Sequence, residues 1–204
     1  MANVYAPLGF SFGAPGDGIA GTFGFDTTRF IAKADTNKCF KGDPVKILST
    51  GYITQMGAGV SAGSFYGVFW GCEYFSISGN QMVTRPWWPG NGDAAGDVTC
   101  KIVPGAYGAN SKMLVQVSGG PAVLSAVGQN IDVTLGAGNT LTGLSTAAAD
   151  YTTLATTNTL PFRIMGLFQS TTPQSGGGIG NGSDITTASN YIYVAPNAYA
   201  LAGV

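Results

Sequence analysis

Catalysis near neutral pH calls for side chains that titrate or attack there, and this sequence is sparing with them. It contains no histidine, which removes Ser-His and Cys-His nucleophile activation and the common zinc hydrolase ligand sets. Its ten acidic residues include one glutamate, Glu73, inside the aromatic run Tyr66 to Phe75. A carboxylate pair of the glycosidase kind would have to join Glu73 to Asp97 or Asp132; the commoner role for such scattered carboxylates is structural. Cys39, Cys72 and Cys100 form no Cys-x-x-Cys pair. With no histidine to complete a zinc module, they read as reduced core thiols. Asp17, Asp93, Asp97 and Asp184 lie near glycines but lack the alternating spacing and closing Glu of a calcium loop, so they read as turn residues. The Gly-x-Gly pattern from Gly178 to Gly182 follows no apolar strand and opens no helix, which makes it a loop and not a dinucleotide fingerprint. The expectation is a non-enzymatic chain with no catalytic residue, no cofactor and no metal.

Two aromatic features are candidates for binding. In Arg85-Pro86-Trp87-Trp88-Pro89-Gly90, prolines bracket two indoles and hold the backbone extended. Trp87 and Trp88 could anchor a protein interface or stack on sugar rings; alternatively, successive strand residues point to opposite faces, so that one fills the core and the other does not. The second feature is the segment 1–28, rich in glycine, with Pro7, Pro15 and the aromatics Tyr5, Phe10, Phe12, Phe23 and Phe25. Glycine and proline at that density break regular structure. The segment reads as an arm that orders on a neighbouring subunit, the aromatics supplying interface and not core; packing on its own domain is the alternative.

These features must be carried by strands. From Phe30 onward, short stretches alternate with period two: Val98, Cys100 and Ile102; Met113, Val115 and Val117; Ile131, Val133 and Leu135. Turn residues such as Pro89-Gly90-Asn91-Gly92-Asp93 and Ser118-Gly119-Gly120-Pro121 separate them. Val45 to Leu48 and Tyr52 to Gln55 read as a hairpin in which Gly51 takes a positive φ. Ala147-Ala148-Ala149-Asp150 could make one helical turn and no more. The last strand is expected at Tyr191 to Val194, with Pro196 discouraging its extension. The expected fold is all-β, a β-sandwich or a jelly-roll or β-barrel-like domain, with an irregular N-terminal arm over 1–28, one β domain over 29–194 and an apolar tail over 195–204.

Composition narrows the partners. Of 204 residues, only 9% are charged while 45% are hydrophobic, far from the roughly 25% charged of ordinary globular domains. A surface left to Gly, Ser, Thr, Asn and Ala suits a protein packed against other subunits. Nine Lys and Arg without a run, at net charge -1, give no field for nucleic acid. No run approaches the ~18 apolar residues of a membrane span, and no basic-then-apolar leader is visible, so synthesis is expected in a cytoplasm.

The ordered series Gly42-Asp43-Pro44-Val45-Lys46, Gly51-Tyr52-Ile53, Tyr66-Gly67-Val68-Phe69-Trp70-Gly71-Cys72-Glu73-Tyr74, Trp88-Pro89 and Pro161-Phe162-Arg163-Ile164-Met165-Gly166-Leu167 resembles virion structural proteins of tailed bacteriophages over roughly residues 30 to 194. The resemblance implies a head decoration or cement protein on a β-sandwich or barrel. It would be made in the host bacterial cytoplasm, bind the major capsid protein on the capsid exterior, and form a homotrimer, because decoration often occupies three-fold positions. The chain departs from that pattern after Ala195, where such proteins commonly end in a more polar strand. The rival function is a receptor- or carbohydrate-binding tail component.

Overall fold

Short alternating stretches closed by glycine-rich turns become strands, as the computed structural model of the chain shows. It describes residues 3–12, 24–90, 92–105, 112–168, 173–174, 178–179 and 187–198. The strands are β1 (Ser11–Phe12), β2 (Phe30–Ile31), β3 (Cys39–Phe40), β4 (Pro44–Ile47), β5 (Ile53–Gln55), β6 (Gly67–Ser76), β7 (Gln81–Arg85) and β8 (Trp87–Trp88). They continue with β9 (Val98–Pro104), β10 (Met113–Ser118), β11 (Asn130–Thr134), β12 (Ala148–Ala155), β13 (Phe162–Leu167), β14 (Pro173–Gln174), β15 (Gly178–Ile179) and β16 (Tyr191–Pro196). One 3-10 turn, Leu124–Ala126, is the sole helical element among the described residues. Among the described residues no helix is long and apolar enough to cross a membrane. The protein is all-β.

Strands β10, β12, β11, β13 and β16 run in that order, and β16 pairs back onto β10, closing a five-stranded barrel. A ring with an odd number of strands cannot alternate direction throughout. The one parallel pair falls between β10 and β12, with Val117 opposite Ala149. Barrel width grows with strand number, so five strands enclose a narrow space. That space explains the alanines: Ala147 and Ala149 line the core with Val115, Val117, Ile131, Val133, Ile164 and Val194. The helical turn expected at Ala147–Asp150 is therefore absent, and Ala148–Asp150 opens β12. Inter-strand pairing and burial override the helix preference of alanine.

The second unit is an open sheet, β2-β9-β6-β4-β5, with β7 also on β6. Its core holds Ile31, Val45, Ile53, Phe69, Cys72, Tyr74, Trp88, Val98, Cys100 and Ile102, and the β3–β8 pair lies against it. The expected hairpin is β4–β5, and Gly51 sits in its turn at φ 86. Strand β6 serves both units: Val68 belongs to the barrel core and Phe69 to the other, just before a register shift at Trp70.

The described start of the N-terminal segment follows the alternative to a neighbour-bound arm, while 13–23 lie outside the described residues. Residues 3–12 pack on their own chain. The Gln116 side chain accepts the Ala6 N–H at 2.9 Å and donates to the Val4 and Ser189 carbonyls at 2.7 and 2.9 Å. Strand β1 then pairs with β10. Phe10 is buried in the barrel core against Phe162, ring centroids 5.0 Å apart. Aromatics among glycines cannot make a core of their own, but here the barrel supplies it. At the other end β16 runs on through Ala195 and Pro196, because Pro196 stands opposite Phe162 as the terminal pair and Asn197 bonds the Pro161 carbonyl. The tail therefore starts two residues later than the sequence suggests.

A buried knot joins the two units to the N-terminal segment. Asp43 accepts hydrogen bonds from the Phe40 N–H and the Gln55 side chain, both at 2.7 Å, and from the Ser145 hydroxyl at 2.5 Å. Ser145 in turn accepts the Ala147 N–H at 2.8 Å. Beside it the Gly42 carbonyl accepts the Phe10 N–H at 2.8 Å. Gly9, at φ 78, approaches so closely that a Cβ would lie 2.5 Å from the Gly42 oxygen and 2.6 Å from the Ser145 Cβ.

Phe10→Ala and Trp88→Ala are each expected to cost about 3–5 kcal/mol of stability, since both side chains are fully buried and leave cavities. Trp87→Ala is expected to cost less, about 1–2 kcal/mol, because that ring is half-buried and mainly loses its stack on Phe40. Urea titration of the three variants measures the difference.

Candidate interaction surface

The carboxylates come first, since any hydrolytic site would be built from them. Asp97 accepts the Tyr52 hydroxyl at 2.7 Å and the Lys33 N–H at 3.2 Å. These bonds hold its carboxyl below the usual carboxylate range, and Asp97 in turn pushes the Tyr52 hydroxyl up. Asp132, on barrel strand β11, accepts the Gly59 N–H at 2.6 Å. Glu73 lies on β6 between Thr84 and Thr99, in the other unit. The proposed partners Glu73 and Asp132 are thus on different sheets. Asp93 is lowered by the Ser76 hydroxyl and the Ser78 N–H.

Asp26, Arg29 and Tyr66 form a corner at the entry to the open sheet. The Tyr66 hydroxyl donates to Asp26 and accepts from Arg29 Nε at 3.1 Å, while the guanidinium lies over the Tyr66 ring at 5.1 Å. Burial pushes the Asp26 carboxyl up, but the bonds from Thr28 and Tyr66 and the Arg29 charge outweigh it, so it sits below its ordinary value. Asp43 is the opposite case. Burial dominates over its three donors, and its carboxyl is raised.

Cys39, Cys72 and Cys100, far apart in sequence, share one core, with Cys72 directly opposite Cys100 across β6 and β9. All three are free and buried. Desolvation pushes the Cys72 thiol up to about 12 and raises the other two as well, which keeps them from acting as nucleophiles. Among the described residues no three such groups converge in an arrangement that could hold a metal ion.

The sequence candidates for an interface scatter. Tyr5 and Phe25 are exposed, Phe12 is half-buried and Phe23 lies outside the described residues. Phe10 is core and so is not an interface residue. Trp88 is fully buried, edge-on to Tyr74 at 5.3 Å with its indole N–H on the Asp35 carbonyl at 3.2 Å. Trp87 stacks flat on Phe40, centroids 5.3 Å apart. Alternation thus divides the pair, and neither a two-indole sugar platform nor a two-indole anchor exists. The glycine loop expected from Gly178 to Gly182 contains β15, paired with β14; its remaining residues lie outside those described.

The exposed apolar side chains that sequence reasoning missed lie elsewhere. Phe75, Ile77 and Met82 crowd the β6–β7 hairpin, with Phe75 directly opposite Met82. Val123, Leu124, Val127 and Met165 flank the 3-10 turn, where the Gly128 N–H bonds the Ile164 carbonyl. Phe30 borders β9, near the sequence candidate Phe25, which meets Trp70, whose ring lies 4.1 Å beneath the Lys41 ammonium. The alternation signal could have found the first set, since Phe75 has the opposite parity to the buried Tyr74. No protein family, curated protein or solved structure matches this chain. These surfaces rest on the geometry alone.

Two outcomes are expected. Because the native state holds the Asp43 proton more tightly than the unfolded chain does, the contribution of this residue falls as pH rises from 3.8 toward its raised native value. Asp43→Asn, which cannot titrate, should therefore destabilise less at about pH 7 than at about pH 4, and paired urea titrations give the sign. A thiol reagent should leave all three cysteines unmodified in the native protein and label all three once denaturant unfolds it.

Proposed function

We propose that this protein is a structural component of a tailed-phage particle, a head decoration or cement protein that binds the assembled shell and bridges neighbouring capsid subunits. One observation carries the reading: a chain only 9% charged places large apolar side chains, among them Leu124, Ile77, Met82 and Phe25, on its exterior. Exposed apolar area of this kind marks surfaces that meet other proteins. Among the described residues the three thiols are buried, and Asp26, Asp43, Asp93, Asp97 and Asp132 are hydrogen-bonded within the fold, which favours binding over turnover. The resemblance to virion proteins supplies the kind of particle. The rival, a carbohydrate-binding tail component, loses its main support with the burial of Trp88.

A decoration protein acts by mass action. A ligand that binds only the assembled shell stabilises it by about 4 kcal/mol per site at a thousand times Kd, repeated at every site. Cryo-EM and quantitative proteomics of gradient-purified particles from the phage that encodes the chain test this. The expected result is density for the protein on the outside of the head in capsomer-related copy number. Absence from the particle overturns the reading, and density confined to the tail tip replaces it with the receptor-binding alternative.

A further inference from the structure

The β6–β7 hairpin ends in an open edge whose hydrogen-bonding groups can be assigned. On the side of β6 away from β7, the Phe75 carbonyl accepts the Ala95 N–H at 2.9 Å and the Ile77 N–H donates to the Asp93 carbonyl at 2.8 Å. Backbone groups along a strand alternate in direction. Phe75 and Ile77 therefore turn away from β7, while Cys72, Tyr74 and Ser76 bond it at their register partners Arg85, Val83 and Gln81. It follows that Met82 and Thr84 aim their N–H and C=O groups outward. Among the described residues strand β7 pairs with β6 alone, and no described group bonds to Met82 or Thr84 from the outer side.

Soluble proteins protect such edges with lysine, proline, bulges or a covering segment. Strand β7, Gln81-Met82-Val83-Thr84-Arg85, has no lysine or proline, and its five pairs with β6 run without a register shift. Met82 is 60% exposed and Ile77 61%. We propose that β7 is the contact through which two copies of this chain join, edge to edge and antiparallel about Val83, so that their two open sheets become one.

The sequence of the strand fits its own reverse. With Val83 facing Val83 of the second copy, Met82 stands opposite Thr84 of that copy, and Thr84 opposite its Met82. Both are outward-facing pairs, and each exchanges two N–H to C=O bonds. On the exposed face, Met82 and Phe75 of each copy extend an apolar strip across the junction; on the other, Val83 already rests on the sheet core. The only charge on the strand, Arg85, falls opposite Gln81 of the second copy. The two arginines lie about 13 Å apart along the strands, so no like charges meet. A two-fold contact of this kind uses the same patch twice and closes at two copies, in place of the trimer implied by the resemblance. It does not depend on the virion reading.

Light scattering and hydrogen exchange over a dilution series test the proposal. The expected mass is twice the 20.8 kDa of the chain, with the Met82 and Thr84 amides slowing as the dimer fills while the Val83 amide is slow throughout. Thr84→Pro removes an amide that its own sheet does not use, and Met82→Lys adds the usual edge guard. Each should weaken dimerisation about ten-fold or more, whereas Leu141→Lys, at a fully exposed turn, should not. If Thr84→Pro does not fold, Met82→Lys and the wild-type exchange pattern decide. A monomer at about 100 µM, a mass of three chains, a dimer whose Met82 and Thr84 amides exchange as fast as in dilute protein, or a dimer unaffected by Met82→Lys each overturns it.

Discussion

The buried carboxylate of Asp43 is the point on which the architecture turns. Its three donors come from three places: the backbone of β3, the side chain of β5, and Ser145 in the segment leading into β12. A charge with few neighbours of opposite sign is expensive inside a protein. Here three hydrogen bonds to the carboxylate oxygens offset part of that cost, burial still prevailing, and geometry follows from their placement. Gly42 and Gly9 must lack side chains so that the N-terminal segment can reach the same point. The knot therefore fixes barrel, sheet and N-terminus relative to one another with a handful of atoms, in a chain that has few ion pairs to spare.

Closure of the barrel imposes the second constraint. Five strands force one parallel pair and enclose a narrow interior, in which alanine stands among the larger core residues. Phe10, Phe65 and Met56, none of them on a barrel strand, complete the same core. Phe65 meets Phe162 nearly edge-on at 4.9 Å, and Phe10 meets the same ring from another side. The barrel is thus incomplete without residues that belong, by sequence, to other parts of the chain.

That non-locality separates what could be read from the sequence from what could not. Strands β9, β10 and β11 alternate plainly, and Gly51 marks its turn, because these signals lie within a few residues of each other. The division of Trp87 from Trp88 follows from alternation as well. Strand β12 escaped, since alanine prefers a helix until pairing and burial decide otherwise. Phe10 escaped because its pocket is built by residues more than forty positions away. Asp43 and Gln116 carry no local sign of their roles; at most, an aspartate between Gly42 and Pro44 at the head of a buried strand hints at a buried polar group. For the surface, parity within β6 marks Phe75 as outward, whereas the open far edge of β7 is visible only in the fold.

The seating of Phe10 also has a consequence for how the chain comes into being. The residue is made well before β16, yet its pocket needs β16 in place, since β16 closes the barrel through both β10 and β13. At the usual pace of translation nearly the whole chain must follow, which takes roughly 10–40 s. Throughout that interval the Phe10 ring lacks the barrel pocket that buries it. The seating of Phe10 is therefore coupled to barrel closure, a contact of long sequence separation, and cannot precede it.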